Sequence, residues 1–208
     1  MLTAALLLIT PWFWHTLKIS VPIAILLALT SISLFFALIN INKKNLIIFI
    51  LLFTATLIVQ VKYTKVQDLA YFTEDQKRVQ REYLNAYPPI YWIPLAHWLE
   101  GRPETVAFYR IKNNLGEALD VNQYFFATHP RARVGINEFH KFHFIFLPFF
   151  VLGLVYISKK AESRTIYLPA LVVGLALTAY ISDSSSLGAI FAFPLILSAI
   201  TLGIKNIK

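Results

Sequence analysis

The stretch VPIAILLALTSISLFFALINI, residues 21–41, decides the fold. It holds 21 residues without a single charge, and as a helix it would be about 31 Å long at 1.5 Å per residue. That matches the roughly 30 Å hydrocarbon core of a bilayer. In hydrocarbon every backbone N–H and C=O must be paired, and a lone segment can do this only as a helix. Residues 21–41 are therefore predicted to cross a membrane.

The same texture continues on both sides. Asn42, Lys43, Lys44 and Asn45 close the first span, and residues 46–61 are uniformly apolar but shorter, with Lys62 placed to snorkel. Residues 1–14 are apolar too, about 21 Å as a helix. Pro11 and the Trp12–Phe13–Trp14 group place the end of that segment in the headgroup region, with His15 to Lys18 as a polar connection. This segment either spans by local thinning or lies partly in the interface. It lacks a preceding basic region and is read as retained rather than cleaved. Further spans are predicted at residues 144–157, 166–181 and 187–204. The expected fold is an all-α integral membrane protein, a bundle of five or six transmembrane helices with a mostly helical extracytoplasmic segment. The expected division is 1–61 (N-terminal spans), 62–143 (outer segment) and 144–208 (C-terminal three-helix region).

Composition agrees. Hydrophobic residues make up 57% of the 208 and charged residues 14%, against about 25% charged in ordinary soluble domains. The net charge of +8 raises the question of nucleic acid. Much of the excess, however, sits in short clusters at the ends of apolar runs, which is the pattern of membrane orientation. Lys43 with Lys44, Lys159 and Lys160 with Arg164, and Lys205 with Lys208 fall on one common side of the predicted topology. The positive-inside rule makes that side cytoplasmic, with both termini there, residues 62–143 outside, and the protein in the plasma membrane. The chain has no cysteine, which excludes disulfides, thiolate metal sites and a cysteine nucleophile.

The outer segment carries eleven of the nineteen Lys and Arg residues and nine of the eleven acids. This near balance, with many aromatics, predicts folding rather than disorder. Thr73 and Gln76 form a capping box opening a helix to about Asn85, which Pro88 and Pro89 stop. The apolar residues 90–99 suit a short helix packed on the bilayer surface or the bundle. Pro103 and Glu104 open another helix to about Asn114, which Gly116 is placed to end.

Candidate chemistry gathers just before the fourth span. Arg131 and Arg133, with Lys141, have the charge and geometry to hold a lipid-linked phosphate, or equally ordinary phospholipid headgroups. Arg131 and Arg133 would alternatively pair with Glu138. His140 and His143, three apart and near Glu138, are either metal ligands or interfacial histidines facing water. Glu138 is the candidate catalytic acid should the chain be an enzyme. No Gly-rich phosphate loop, HExxH pair or GxSxG elbow occurs, and no cofactor or metal is expected.

From about Asn113 onward the chain resembles the later part of multispanning polyprenyl-phosphate-sugar glycosyltransferases of the GT-C type. The resemblance rests on DVNQYFF at residues 120–126, HPRARVG at 129–135, Glu138, FIFLPFFVLGL at 144–154 and FPLILSAITLG at 193–203. It implies an extracytoplasmic site using lipid-linked sugar donors. Such enzymes carry a catalytic acid in the first outward loop, whereas His15 to Lys18 contain none. The expectation is therefore a non-catalytic accessory or assembly module contacting a lipid-linked glycan or a membrane protein partner, with membrane lipids around it and no nucleic acid. The alternative is an enzyme, glycosyltransferase-like, acting on a polyprenyl-phosphate-linked substrate.

Overall fold

A computed structural model of the chain describes residues 2–63, 74, 78, 82, 102–126, 140–180 and 189–206. Every regular element among them is helical. In chain order these are α1 (Leu2–Ile9), α2 (Pro11–Ile19), α3 (Val21–Ile39), α4 (Lys43–Tyr63), α5 (Pro103–Leu119) and α6 (Asn122–Phe125), then a 3₁₀ turn (Phe144–Phe146), α7 (Leu147–Lys159), α8 (Ala161–Tyr180) and α9 (Ala192–Lys205). Thr73 and Gln76, and residues 90–99, lie outside the described residues. Glu74, Arg78 and Glu82 are helical, and Arg78 faces Glu82 at 3.8 Å across one helical turn.

Three helices are long and apolar enough to cross a membrane, α3, α4 and α8, and a fourth if α1 and α2 together make one broken span. Segments 144–159 and 192–205 are apolar helices of lesser length. Five or six spans were expected. The difference at the C-terminus comes from α9, which begins only at Ala192, after a turn at residues 189–191. Its 14 residues give about 21 Å of helix, the length of a buried core helix rather than of a full crossing.

The N-terminal segment breaks where the sequence reading did not break it. Trp12, Phe13 and Trp14 do not end a first span, and His15 to Lys18 are not a loop: all belong to α2. The break is at Thr10, where α1 and α2 meet at 71°. Pro11 causes it, since its ring drives the preceding residue out of helical geometry, and Thr10 is extended (φ −79°, ψ 118°). The carbonyls left open are covered locally. Thr10 Oγ1 donates to Leu6 O at 2.8 Å and Trp14 Nε1 to Leu8 O at 2.7 Å.

The centre of the bundle is α9. All twelve residues from Ala192 to Gly203 are buried, and α1, α3, α7 and α8 all pack on it. α7 approaches it most intimately. A Cβ built on Gly153 would overlap the Ala199 carbonyl, and one on Gly203 the Phe149 carbonyl. Hydroxyls join the other helices: Thr30 to Thr56 (3.1 Å) between α3 and α4, Ser163 to Leu38 O (3.0 Å) between α8 and α3, and Ser198 to Ser31 O (3.3 Å) between α9 and α3. Gln60 Nε2 donates to Thr178 Oγ1 (3.3 Å) between α4 and α8. Such bonds matter where no water competes for the groups.

The two ends of the bundle differ in chemistry. At one, Lys160 Nζ reaches Leu38 O and Ile39 O at 3.5 and 3.4 Å, and Lys205 Nζ lies 5.9 Å from the Phe35 ring. The basic groups of three chain segments therefore collect where α3 ends, α7 passes into α8 and α9 finishes. The opposite end is built from aromatic rings. Between the ends the outer surface is apolar, with Ile47, Leu51, Ile58, Val172 and Val173 all at least half exposed.

Candidate functional site

At the aromatic end Trp12 is fully buried, with its ring centroid 5.9 Å from Tyr124, 5.9 Å from Phe142 and 5.4 Å from Phe193. Phe125 joins through Phe142 (5.8 Å) and Phe150 (5.6 Å). These rings come from α2, α6, α7, α9 and the segment before the 3₁₀ turn, so one cluster ties five chain segments together. Two backbone bonds fix their register: Trp12 N–H donates to Lys141 O at 3.1 Å and Phe142 N–H to Tyr124 O at 2.8 Å. The first supplies a partner to an N-terminal helical N–H that its own helix leaves open.

Lys141 sits on this cluster. Its ammonium is 5.4 Å from the Trp12 ring centroid and 5.3 Å from that of Tyr124, and it donates to Gln123 O at 3.2 Å. The side chain expected to face lipid phosphate is half-buried and engaged by rings and a carbonyl of its own chain. Arg131, Arg133 and Glu138 lie outside the described residues. His140 is exposed and His143 partly so, with ring centroids 5.5 Å apart. Among the described residues no set of three His, Asp or Glu side chains converges on a cation position.

α5 and α6 are held against the bundle through their own ends. α5 packs on α8, and Asn114 Nδ2 donates to Ala179 O at 2.9 Å, taking a carbonyl from the last turn of α8. α5 does not stop at Gly116 as expected but runs through it to Leu119. A glycine ends a helix when a left-handed residue is needed to satisfy the last carbonyls. Here side chains do so instead: Gln123 Nε2 donates to Glu117 O, and Tyr124 OH to Ala118 O at 2.8 Å. Asp120 Oδ1 accepts the Asn122 N–H at 2.9 Å and opens α6. Burial pushes the Tyr124 hydroxyl well above its ordinary pKa; the Gln123 side chain opposes the shift and Asp120 adds to it. Tyr124 is therefore a neutral donor at physiological pH.

On its free face α5 presents Phe108 and Tyr109, 61% and 51% exposed, with ring centroids 6.0 Å apart. Sequence reasoning passed over this pair. Its signal was the 3.6-residue period: positions 107, 111, 114 and 118 face inward or partly so, leaving 108 and 109 outside. It also passed over Ala199–x–x–x–Gly203, a small-xxx-small pattern that marks close helix approach in membranes.

A helical bundle with an apolar exterior, a basic end and an aromatic end, and three or four helices fit to cross a bilayer, belongs to the class of multihelical proteins compatible with a membrane. Within that class, no protein-family model, no curated protein and no solved structure matches the chain.

Proposed function

We propose that the chain is a multispanning plasma-membrane protein serving as a non-catalytic accessory or assembly module, whose outer segment contacts a membrane protein partner or a lipid-linked glycan. The observation that carries this reading is the exposed Phe108–Tyr109 pair on α5, a helix pinned to the bundle on its opposite side. Large exposed aromatics on a pre-ordered element are the material of interface anchors, because they contribute contact area at small entropic cost. In the same reading the chain crosses the membrane five or six times, with α7 and α9 crossing through a thinned or protein-lined region. The basic end then faces the cytoplasm and residues 62–143 lie outside, in keeping with the collection of Lys160 and Lys205 at one end. Arg131 and Arg133 are assigned to lipid phosphate at the outer surface.

The test is purification of the full chain in mild detergent, with identification of what stays bound. A membrane protein or glycolipid retained in stoichiometric amount, and lost from a Phe108→Ser, Tyr109→Ser double variant that remains folded, is the expected result. A chain that purifies alone and transfers labelled sugar from a polyprenyl-phosphate donor would overturn the proposal in favour of an enzyme.

A further inference from the structure

α4 and α8 both lean on α3, and between them an open apolar groove of about 580 Å³ runs along the outside of the bundle. This is within the range of roughly 300–1,000 Å³ that small-molecule sites occupy. Leu57, Ile58 and Val61 of α4 and Val173 and Leu177 of α8 form its walls, which the Gln60–Thr178 hydrogen bond links. Thr54 and Lys62 mark its two extremes along α4, eight positions and so about 12 Å apart. Lys62 is exposed and makes no ion pair or hydrogen bond among the described residues.

We propose that this groove holds one hydrocarbon chain of an anionic phospholipid from the surrounding bilayer, with the lipid phosphate on the Lys62 ammonium. Three features select that occupant. The groove opens sideways from α4, the candidate span least covered by its neighbours, with 22% of its apolar window buried, so bilayer hydrocarbon is the medium it faces. Its one charged lining residue among those described is a cation in the last turn of a span, the level at which headgroup phosphates lie and to which lysines reach. Among the described residues no acidic side chain lines the groove to receive the amine of a zwitterionic headgroup.

The proposal rests on the membrane reading but not on the accessory role, and the experiment separates the two. The full chain is reconstituted into vesicles of equal phosphatidylglycerol and phosphatidylcholine, extracted in mild detergent, and its retained lipids are counted by native mass spectrometry. One phosphatidylglycerol is expected to remain in preference to phosphatidylcholine. Lys62→Gln should weaken that retention about fivefold, as one charge contact near a membrane surface implies, and Lys62→Arg should preserve it. Leu177→Trp, which fills the groove without touching the charge, should displace the lipid. Equal retention of the two lipids by the wild type overturns the proposal, as does indifference to Lys62→Gln. Loss with Lys62→Gln but not with Leu177→Trp also overturns it, because the lipid would then be adsorbed through its headgroup alone. Release of the chain from membranes by alkaline carbonate would overturn the membrane reading and this proposal together. Retention against carbonate with no lipid preference overturns this proposal only.

Discussion

Lys141 shows how a single charge changes meaning once its surroundings are known. In sequence it adjoins the apolar run beginning at Phe144 and reads as one more cation facing headgroups. In the fold its ammonium lies against Trp12 and Tyr124 and donates to Gln123 O. Cation–π contacts of this partly desolvated kind are worth about 1–2 kcal/mol. Lys141→Gln is therefore expected to lower the unfolding free energy in detergent by about that amount, and Lys141→Arg by less, both read by thermal unfolding followed through tryptophan fluorescence. Tyr124 makes a second prediction. Because its folded-state pKa is raised, the stability it contributes is fully present below its unfolded value near pH 10 and is lost as pH rises through the folded value. The wild type should therefore lose stability more steeply above about pH 10 than Tyr124→Phe. Below pH 9 the variant should be weaker by about 1 kcal/mol for the missing bond to Ala118 O. Parallel slopes in alkali would refute the assignment.

Two glycines in different helices carry opposite expectations. Gly116 lies in the interior of α5, and a Cβ there would meet nothing within 4 Å. Gly116→Ala should stabilise the protein by about 0.5–1 kcal/mol through the backbone entropy it removes from the unfolded chain. Gly153 on α7 faces the Ala199 backbone, where a Cβ has no space. Since α9 is enclosed on all sides and backbone cannot yield as a side-chain tip can, Gly153→Val should cost at least about 3 kcal/mol and separate α7 from α9. Thermal melts of both variants in one detergent test the contrast, and equal effects would contradict the packing. The break between α1 and α2 was within reach of the sequence, because Pro11 directly follows Thr10. Hydropathy hides such a break, since the residues next to it on both sides, Leu6 to Ile9 and Trp12 to Trp14, are apolar.

For the whole molecule the absence of native cysteine makes topology directly testable. Single cysteines at Asn113 and Asn206, one on α5 and one just past α9, should differ in reaction with an impermeant reagent on intact cells, with position 113 labelled and 206 protected. The reverse pattern would invert the orientation, and labelling of both would mean that the two ends of the bundle do not lie on opposite sides of a membrane. What makes this a test of the molecule rather than of one loop is the collection of basic groups. Lys160 reaches the end of α3, and Lys205 the Phe35 ring, so Asn206 reports for three chain segments at once.

The sequence by itself determined the helical class and placed the ends of α3 and α4 within three residues and those of α8 within five, because a long uncharged run can pair all its backbone groups within one segment only as a helix. It also identified the basic clusters, since charge is legible without any fold. Only the tertiary structure decided that α9 is the centre of the bundle and not a helix on its outside, because burial depends on what surrounds a helix and an apolar sequence does not name its neighbours. The same holds for the aromatic cluster. Trp12, Tyr124, Phe142 and Phe193 are up to 181 positions apart in sequence, and nothing local in any of them specifies that they meet. The groove between α4 and α8 is likewise a property of how two helices lean on a third, which no residue of its lining encodes alone.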